Sequence, residues 1–276
     1  MIRKIPFATL TIAGSDSIGG AGIQADIKTM SALGCYATSC ITAITAQNTM
    51  GVKSVVSVNK QMLCEQITCV LQDMDILATK TGMIYTSENV CVIKQTLIEN
   101  NYKGKLVVDP VLVATSGDKL SKADFIQTLV NELFPMADIV TPNLYEAEKI
   151  CDSNIRDIDE MISAAKKIHS SYKPKNVLIK GGHLQGNDMT DILLTEEGKI
   201  EMFSLPKIEA NNTHGTGCTL SSAICSFLAL GQSMKEAVYN AKNYVHSAIK
   251  EASNINLGHG HGSLNHFFAP QKMKTK

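Results

Sequence analysis

Phe7-Ala-Thr-Leu-Thr-Ile-Ala-Gly-Ser-Asp-Ser-Ile-Gly-Gly-Ala-Gly-Ile-Gln-Ala-Asp26 is the stretch from which the architecture follows. Phe7–Ala13 is apolar and β-branched, which predicts a short buried strand. Four glycines then carry the chain through a turn. Over Gly22–Leu33, Ile23, Ile27, Met30 and Leu33 recur on one face at helical spacing. A strand, a glycine turn and a helix open a βαβ unit.

The same alternation runs outward from this stretch. Strands are expected at Tyr36–Thr45, Ile76–Lys80, Leu106–Asp109, Asp138–Val140 and Val177–Lys180. Helices are expected at Gln61–Leu71, Ser87–Glu99, Asp124–Phe134, Asn143–Cys151, Ile158–His169, Gly217–Leu230 and Met234–Ala252. Asp191–Thr195 and Lys199–Ser204 flank Glu196-Glu197-Gly198 and read as an antiparallel hairpin. No repeat or linker divides the chain, so residues 1–276 are read as one doubly wound α/β domain with a mostly parallel sheet.

Composition narrows the function. Lys plus Arg and Asp plus Glu each total 26, giving zero formal net charge. That leaves no broad basic field for nucleic acid or an anionic membrane. No run approaches the ~20 apolar residues of a membrane span. The N-terminus is a poor signal peptide, and none of the eight cysteines forms a C-x-x-C pair. Buried free thiols in a reducing cytosol are expected. Hydrophobic residues make up 44% and aromatics 5%, so aliphatic and Met side chains must fill the core.

Open parallel sheets bind ligands beyond the carboxyl ends of their strands. Gly14-Ser15-Asp16, Lys80-Thr81-Gly82, Asp109-Pro110, Thr141-Pro142-Asn143 and Lys180-Gly181-Gly182 all fall at such ends. His214-Gly-Thr-Gly-Cys-Thr219 precedes an apolar helix. Its glycines let successive N–H groups converge at a helix N-terminus, which suits a phosphoryl group in transfer. The same field would lower the Cys218 pKa and favour a thiolate base; the alternative is an inert thiol at a helix start. Asp109 and Glu146 are acids at strand ends, suited to Mg2+ beside substrate phosphates, or in the case of Asp109 to a turn before Pro110. Lys180 is a cation placed to meet phosphate, or a solvated strand end. Asp26 near a helix start also reads as a dipole partner. His259, His261 and His266 lack a carboxylate or Cys partner, which counts against a metal site there.

Taken together these segments resemble the ribokinase-like superfamily, and within it the hydroxymethylpyrimidine/phosphomethylpyrimidine kinases of thiamine biosynthesis. The matching stretches are Ala13–Asp26, Ile44–Thr49, Lys80–Met83, Val107–Val111, Thr141–Ala147, Lys180–His183, Gly215–Thr219 and Gly258–Gly262, in order over nearly the whole chain. The resemblance implies a three-layer α/β/α fold with a small antiparallel hairpin. It implies ATP and Mg2+ as cofactors, and successive phosphorylation of the pyrimidine alcohol and its monophosphate. Gly215, Thr216, Gly217 and Cys218 would form the anion hole, with Cys218 as base. Asp26 and Gln47 would hydrogen-bond the aminopyrimidine, Met83 and Val111 would wall it, and Gly14 would let the ring approach the backbone. Asp109, Asn143 and Glu146 would organise Mg2+ and the ATP phosphates, with Lys180 and Lys242 on the nucleotide side. Residues 118–124 would help close over nucleotide, and a homodimer is allowed. Ser263 stands where the pattern has Pro. A pyridoxal or pyridoxine kinase on the same scaffold is the alternative, followed by a non-catalytic pyrimidine sensor.

Overall fold

A computed structural model describes residues 4–112, 123–182, 184 and 186–276. The strands are β1 (Ala8–Ser15), β2 (Tyr36–Asn48), β3 (Gly51–Ser57), β4 (Ile76–Thr81), β5 (Lys105–Val108), β6 (Ile139–Val140), β7 (Val177–Ile179), β8 (Asp188–Leu194) and β9 (Ile200–Pro206). The helices are α1 (Gly22–Ala32), α2 (Lys60–Asp73), α3 (Ser87–Glu99), α4 (Ala123–Glu132), α5 (Leu144–Cys151), α6 (Ile158–Tyr172), α7 (Thr216–Ala229) and α8 (Met234–Ala252). Among the described residues these nine strands join one sheet in the order β3-β2-β1-β4-β5-β6-β7-β8-β9. The six from β2 to β7 run parallel, while β3, β8 and β9 pair antiparallel at the two ends.

Successive strand residues face opposite sides of a sheet. Leu106 and Val108 therefore enter the core beneath α2–α6, while Val107 enters the core beneath α1, α7 and α8. These two cores make the three-layer α/β/α fold. The seam of α7 against the sheet is set by small residues. Ser221, Ser222, Ala223, Cys225 and Ser226 are buried, so the helix lies close to the strand ends that carry the polar groups. α5 and α8 each begin with a complete capping box, Asn143 with Glu146 and Ser233 with Glu236.

Three sequence expectations need correction. The β2 strand is longer than Tyr36–Thr45 and turns at Gly51 into β3, a second hairpin that the sequence did not announce. Val56 on β3 is 67% exposed and no β3 residue is fully buried, so the strand lacks the apolar alternation that marks a half-buried one. The cysteines are all free, yet Cys69 and Cys91 are exposed rather than buried. The expected helix over Asp124–Phe134 stops at Glu132, and a 3-10 turn over Phe134–Met136 follows, because Pro135 removes a backbone donor. Residues 118–122 of the expected nucleotide cover, and His183, lie outside the described residues. Among the described residues no helix is long and apolar enough to cross a membrane.

Candidate active site

The carboxyl ends of β1, β4, β5, β6 and β7 face the N-terminus of α7. Gly215 caps that helix at φ +85°, a left-handed conformation that suits glycine. A Cβ on Gly215 would overlap the Gly20 carbonyl oxygen. The glycine loop after β1 thus lies directly on the leader of α7. The first N–H groups of a helix have no intrahelical acceptor; here the Thr216 N–H meets the Thr213 carbonyl at 3.3 Å. Replacing Gly215 with Ala should displace this loop. A shift of ~1 Å costs about 10²-fold in rate, so kcat/KM should fall at least that far, measured beside the melting temperature.

Two ion pairs flank the helix start, one of them fully buried. On one side Lys180 Nζ meets Asp109 Oδ1 at 2.9 Å and Glu146 Oε2 at 4.0 Å. Asp109 also accepts from Thr141 Oγ1 at 3.0 Å and Ser221 Oγ at 3.1 Å. Glu146 accepts from the Asn143 N–H at 2.8 Å, and Asn143 Oδ1 accepts from the Glu146 N–H at 2.8 Å. Burial pushes the Glu146 carboxyl up to about 7, with Lys180 opposing and Asp109 adding to the rise. Burial also opposes the Lys180 charge, but Asp109 and Glu146 outweigh it and keep the ammonium protonated.

On the other side Lys80 Nζ reaches both oxygens of Asp26, at 2.9 and 2.8 Å, with neither side chain exposed. Asp26 also accepts from Thr11 Oγ1 at 2.5 Å and Ser222 Oγ at 2.6 Å. These four bonds use the carboxylate's whole acceptor capacity. Asp26 is therefore fully engaged by protein groups. Lys80 completes this pair, although its sequence position gave it no role; the only signal was a lysine ending a buried apolar strand. Thr11, Ser221 and Ser222 gave still less, since nothing in their local sequence sets them apart.

Cys218 is half-buried between these pairs. Burial raises its thiol to about 11; Lys80 and the Gly22 N–H pull it down, and Asp26 and Asp109 push it up. The helix start does not produce the lowered pKa expected from sequence, because burial and two carboxylates outweigh one ammonium.

The remaining expected residues divide between two regions. Asn143, Lys180, Thr216, Gly217 and Lys242 line one cleft of about 180 Å³, whose apolar wall includes Met189, Leu205, Leu220, Val245 and Ile249. Lys242 is buried and donates to Asp191 Oδ2 at 2.7 Å. Asp191 Oδ1 in turn accepts the Gly181 N–H at 2.9 Å. Gln47 and Met83 lie on the far side of the helix start, toward the glycine loop. A Cβ on Gly14 would overlap the Met83 methyl, the far end of a flexible side chain. Val111 follows Asp109-Pro110 and is half-buried. Gln47 contacts His214 at 3.3 Å, and His214 contacts Asp16 at 2.9 Å. Asp16 and His214 both lie in segments quoted from the sequence, but neither was given a role. His266 is buried against Thr219 Oγ1 at 3.0 Å, and burial lowers it to about 4. Ser263 sits beside His214 in a short parallel pairing, through the Gly262 carbonyl and the His214 N–H at 3.0 Å.

No cluster of three or more His, Cys, Asp and Glu with metal-site geometry occurs among the described residues. Asp109 and Glu146 nevertheless suit a hard divalent cation shared with phosphate. Such sites need only one or two carboxylates, and here two buried acids share one lysine.

A profile of the phosphomethylpyrimidine kinase family matches residues 16–265. The thiamine biosynthesis bifunctional protein of Geobacter sulfurreducens is 43% identical over 99% of this chain. The chain spans 56% of that protein's length. A phosphomethylpyrimidine kinase from Clostridium difficile is 45% identical, with a TM-score of 0.77, covering 88% of this chain and 99% of that one. The pyridoxal kinase of Bacillus subtilis, solved as an ADP complex, is 35% identical, with a TM-score of 0.85, covering 94% of this chain and 96% of that one.

Proposed function

We propose that this chain, which belongs to the phosphomethylpyrimidine kinase family, uses ATP to phosphorylate 4-amino-5-hydroxymethyl-2-methylpyrimidine. The monophosphate formed is then phosphorylated again at the same site, as a step of thiamine biosynthesis. The observation that carries this reading is the position of Cys218. It directly follows Thr216 and Gly217, which line the cleft of about 180 Å³ together with Asn143, Lys180 and Lys242.

Phosphoryl transfer needs positioning and charge neutralisation more than covalent chemistry. The N–H groups of Gly215–Cys218 would hold the oxygens of the migrating phosphoryl group. Lys180 would neutralise charge on it, held in line by Asp109. The substrate hydroxyl oxygen bonds to the γ-phosphorus, the bond to ADP breaks, and the hydroxyl proton passes to Cys218 in its thiolate form, which becomes the thiol. Asp109 and Glu146 would hold Mg2+, with Asn143 orienting Glu146; the metal supplies charge stabilisation for the ATP phosphates. Gln47 would read the aminopyrimidine edge, since its amide offers both a donor and an acceptor. Met83 and Val111 would wall the ring.

Two pH predictions follow from these groups. A base whose thiol sits near 11 is mostly protonated at neutral pH. The rate should therefore climb by roughly tenfold per pH unit across the neutral range. That limb should vanish in Cys218→Ala, and a flat wild-type profile would remove the thiolate from the mechanism. Glu146, raised to about 7 from 4.5, contributes stability below its unfolded pKa that is lost as pH rises through 7. Glu146→Gln, measured without ligands, should then match the wild type at pH 4.5. It should melt about 2–4 °C higher at pH 8 for each kcal/mol relieved. Equal melting at pH 8 would show the carboxyl to be unstrained.

A second reading, pyridoxal phosphorylation, has support from the higher TM-score of the Bacillus subtilis pyridoxal kinase. A panel of hydroxymethylpyrimidine, its monophosphate and pyridoxal with ATP and Mg2+ separates the two. A clear kcat/KM preference for pyridoxal would sink the pyrimidine assignment.

A further inference from the structure

The tip of the β2–β3 hairpin carries Thr49, to which the phosphoryl transfer gives no part. Thr49 Oγ1 accepts two consecutive N–H groups, those of His259 and Gly260, each at 3.1 Å. The Thr49 carbonyl accepts the next one, the His261 N–H, at 3.1 Å. Three successive backbone donors, from a loop 210 residues further along the chain, thus converge on one threonine.

The alternating glycines of Gly258-His-Gly-His-Gly262 follow from this grip. A Cβ on Gly258 would stand 2.5 Å from Thr49 Oγ1, and one on Gly260 would overlap the Thr49 carbonyl oxygen. A Cβ on Gly262 would overlap Asn212 Oδ1. Side chains are excluded at every second position because the loop presses on the hairpin tip at one end and on Asn212 at the other. Asn212 Nδ2 donates to the Ala252 and Ile255 carbonyls, each at 2.6 Å. The Gly262 carbonyl accepts the His214 N–H at 3.0 Å. The loop therefore ties the hairpin tip to the residue just before the Gly215 cap of α7.

The hairpin has few other anchors. Its ladder shifts register between Ala46 and Gln47, and such an irregularity disrupts the pairing locally. No β3 residue is fully buried, so little apolar burial holds the tip. Gln47 lies two residues before Thr49. Ser17 Oγ donates to the Gln47 carbonyl at 2.7 Å and accepts the Gln47 N–H at 2.8 Å. The Gln47 amide lies 3.3 Å from both His214 Nε2 and Thr45 Oγ1. Its position is thus set from the β1 loop on one side and from the hairpin tip on the other.

We propose that Thr49 is a positioning residue for the pyrimidine: it latches the hairpin tip to the leader of α7 and so holds Gln47 where it meets the ring. The proposal rests on Gln47 being the ring reader. Residues 258–261 are exposed, so water can take over their N–H groups when the hydroxyl is lost. Opening the latch then weakens ring binding without unfolding the protein. The cleft that holds Asn143, Lys180 and Lys242 shares no residue with the latch, so ATP binding is untouched.

The test compares Thr49→Val, which keeps the shape and removes the acceptor, with Thr49→Ser, which keeps the acceptor and drops the methyl. In Thr49→Val the KM for hydroxymethylpyrimidine should rise ~10-fold, since two hydrogen bonds of about fivefold each no longer favour the latched state. The KM for ATP, and kcat at saturating pyrimidine, should stay within ~threefold of the wild type. Thr49→Ser offers the same two lone pairs and should stay within ~threefold throughout. An unchanged pyrimidine KM in Thr49→Val, or an equal rise in the KM for ATP, would overturn the latch. So would a Thr49→Ser as impaired as Thr49→Val, which would assign the effect to packing of the methyl. Should Thr49→Val fail to fold, Gly260→Ala drives a Cβ into the Thr49 carbonyl oxygen and opens the latch from the loop side. It should reproduce the split between the two KM values, and a normal pyrimidine KM there overturns the proposal. If the wild type phosphorylates neither hydroxymethylpyrimidine nor its monophosphate, the functional reading fails by itself. Amide hydrogen exchange of the ligand-free protein then decides the latch. Exchange at the Gln47 N–H that speeds ~10-fold in Thr49→Val but not in Thr49→Ser supports it, and unchanged exchange at Gln47 overturns it.

Discussion

Cys218→Ala should lower kcat by ~10³-fold, within the 10²–10⁴ range for losing a positioned base, while the Kd for the pyrimidine changes less than about threefold. The reason lies in where the sulfur sits. It faces the Gly22 N–H and the Lys80 ammonium, with Asp26 and Asp109 close behind. Lys80 limits the cost of a thiolate there, although burial keeps the resting group protonated. Cys218→Ser should be nearly as slow, because a hydroxyl is a far poorer proton acceptor at neutral pH. Single-turnover kinetics with ATP, alongside calorimetric binding of the alcohol, separates chemistry from affinity. A Cys218→Ala rate within tenfold of the wild type would take the residue out of proton transfer and leave the helix start as an anion hole alone.

The second large effect is structural. Asp26→Ala should destabilise the protein by ~3–5 kcal/mol, because it strands the fully buried Lys80 without its partner. The neighbours cannot compensate: Thr11 and Ser222 hydroxyls lose their acceptor at the same time. Pairing Asp26→Ala with Lys80→Met should recover most of that loss, since removing both charges leaves nothing buried and unpaired. Chemical denaturation of the two single variants and the double variant measures it. Additive losses in the double variant would show that the pair is not the source of the cost. Activity should not return with stability, because Lys80 also sets the field at Cys218.

These two results mark where local sequence is informative. The β1–α1 stretch, the apolar strands and the glycine leader of α7 are short-range patterns, and each carries its periodicity or turn chemistry with it. β3 failed that test because an exposed edge strand has no buried face to impose a pattern. Asp109, Asn143, Glu146 and Lys180 were legible as polar groups at strand ends, where the topology of a parallel sheet brings them together. Asp26 was visible as an acid, but not as the partner of Lys80, 54 residues away. The Asp16–His214 contact spans 198 residues, and no local pattern on either side requires it.

The strand–glycine–helix opening at 7–26 thus determined by itself the layered α/β class, because side-chain periodicity and glycine turns are properties of neighbouring residues. The glycine leader at His214–Thr219 offered, again from local sequence, the start of a helix. What tertiary structure alone decided is the state of the groups around it. It engaged Asp26 with protein groups, buried Lys80, raised Cys218 instead of lowering it, and set Gln47 between His214 and Thr45. Burial and charge at these positions come from residues distant in the chain that pack within a few ångströms. The proton affinities and hydrogen-bond polarity of the site are therefore products of the fold.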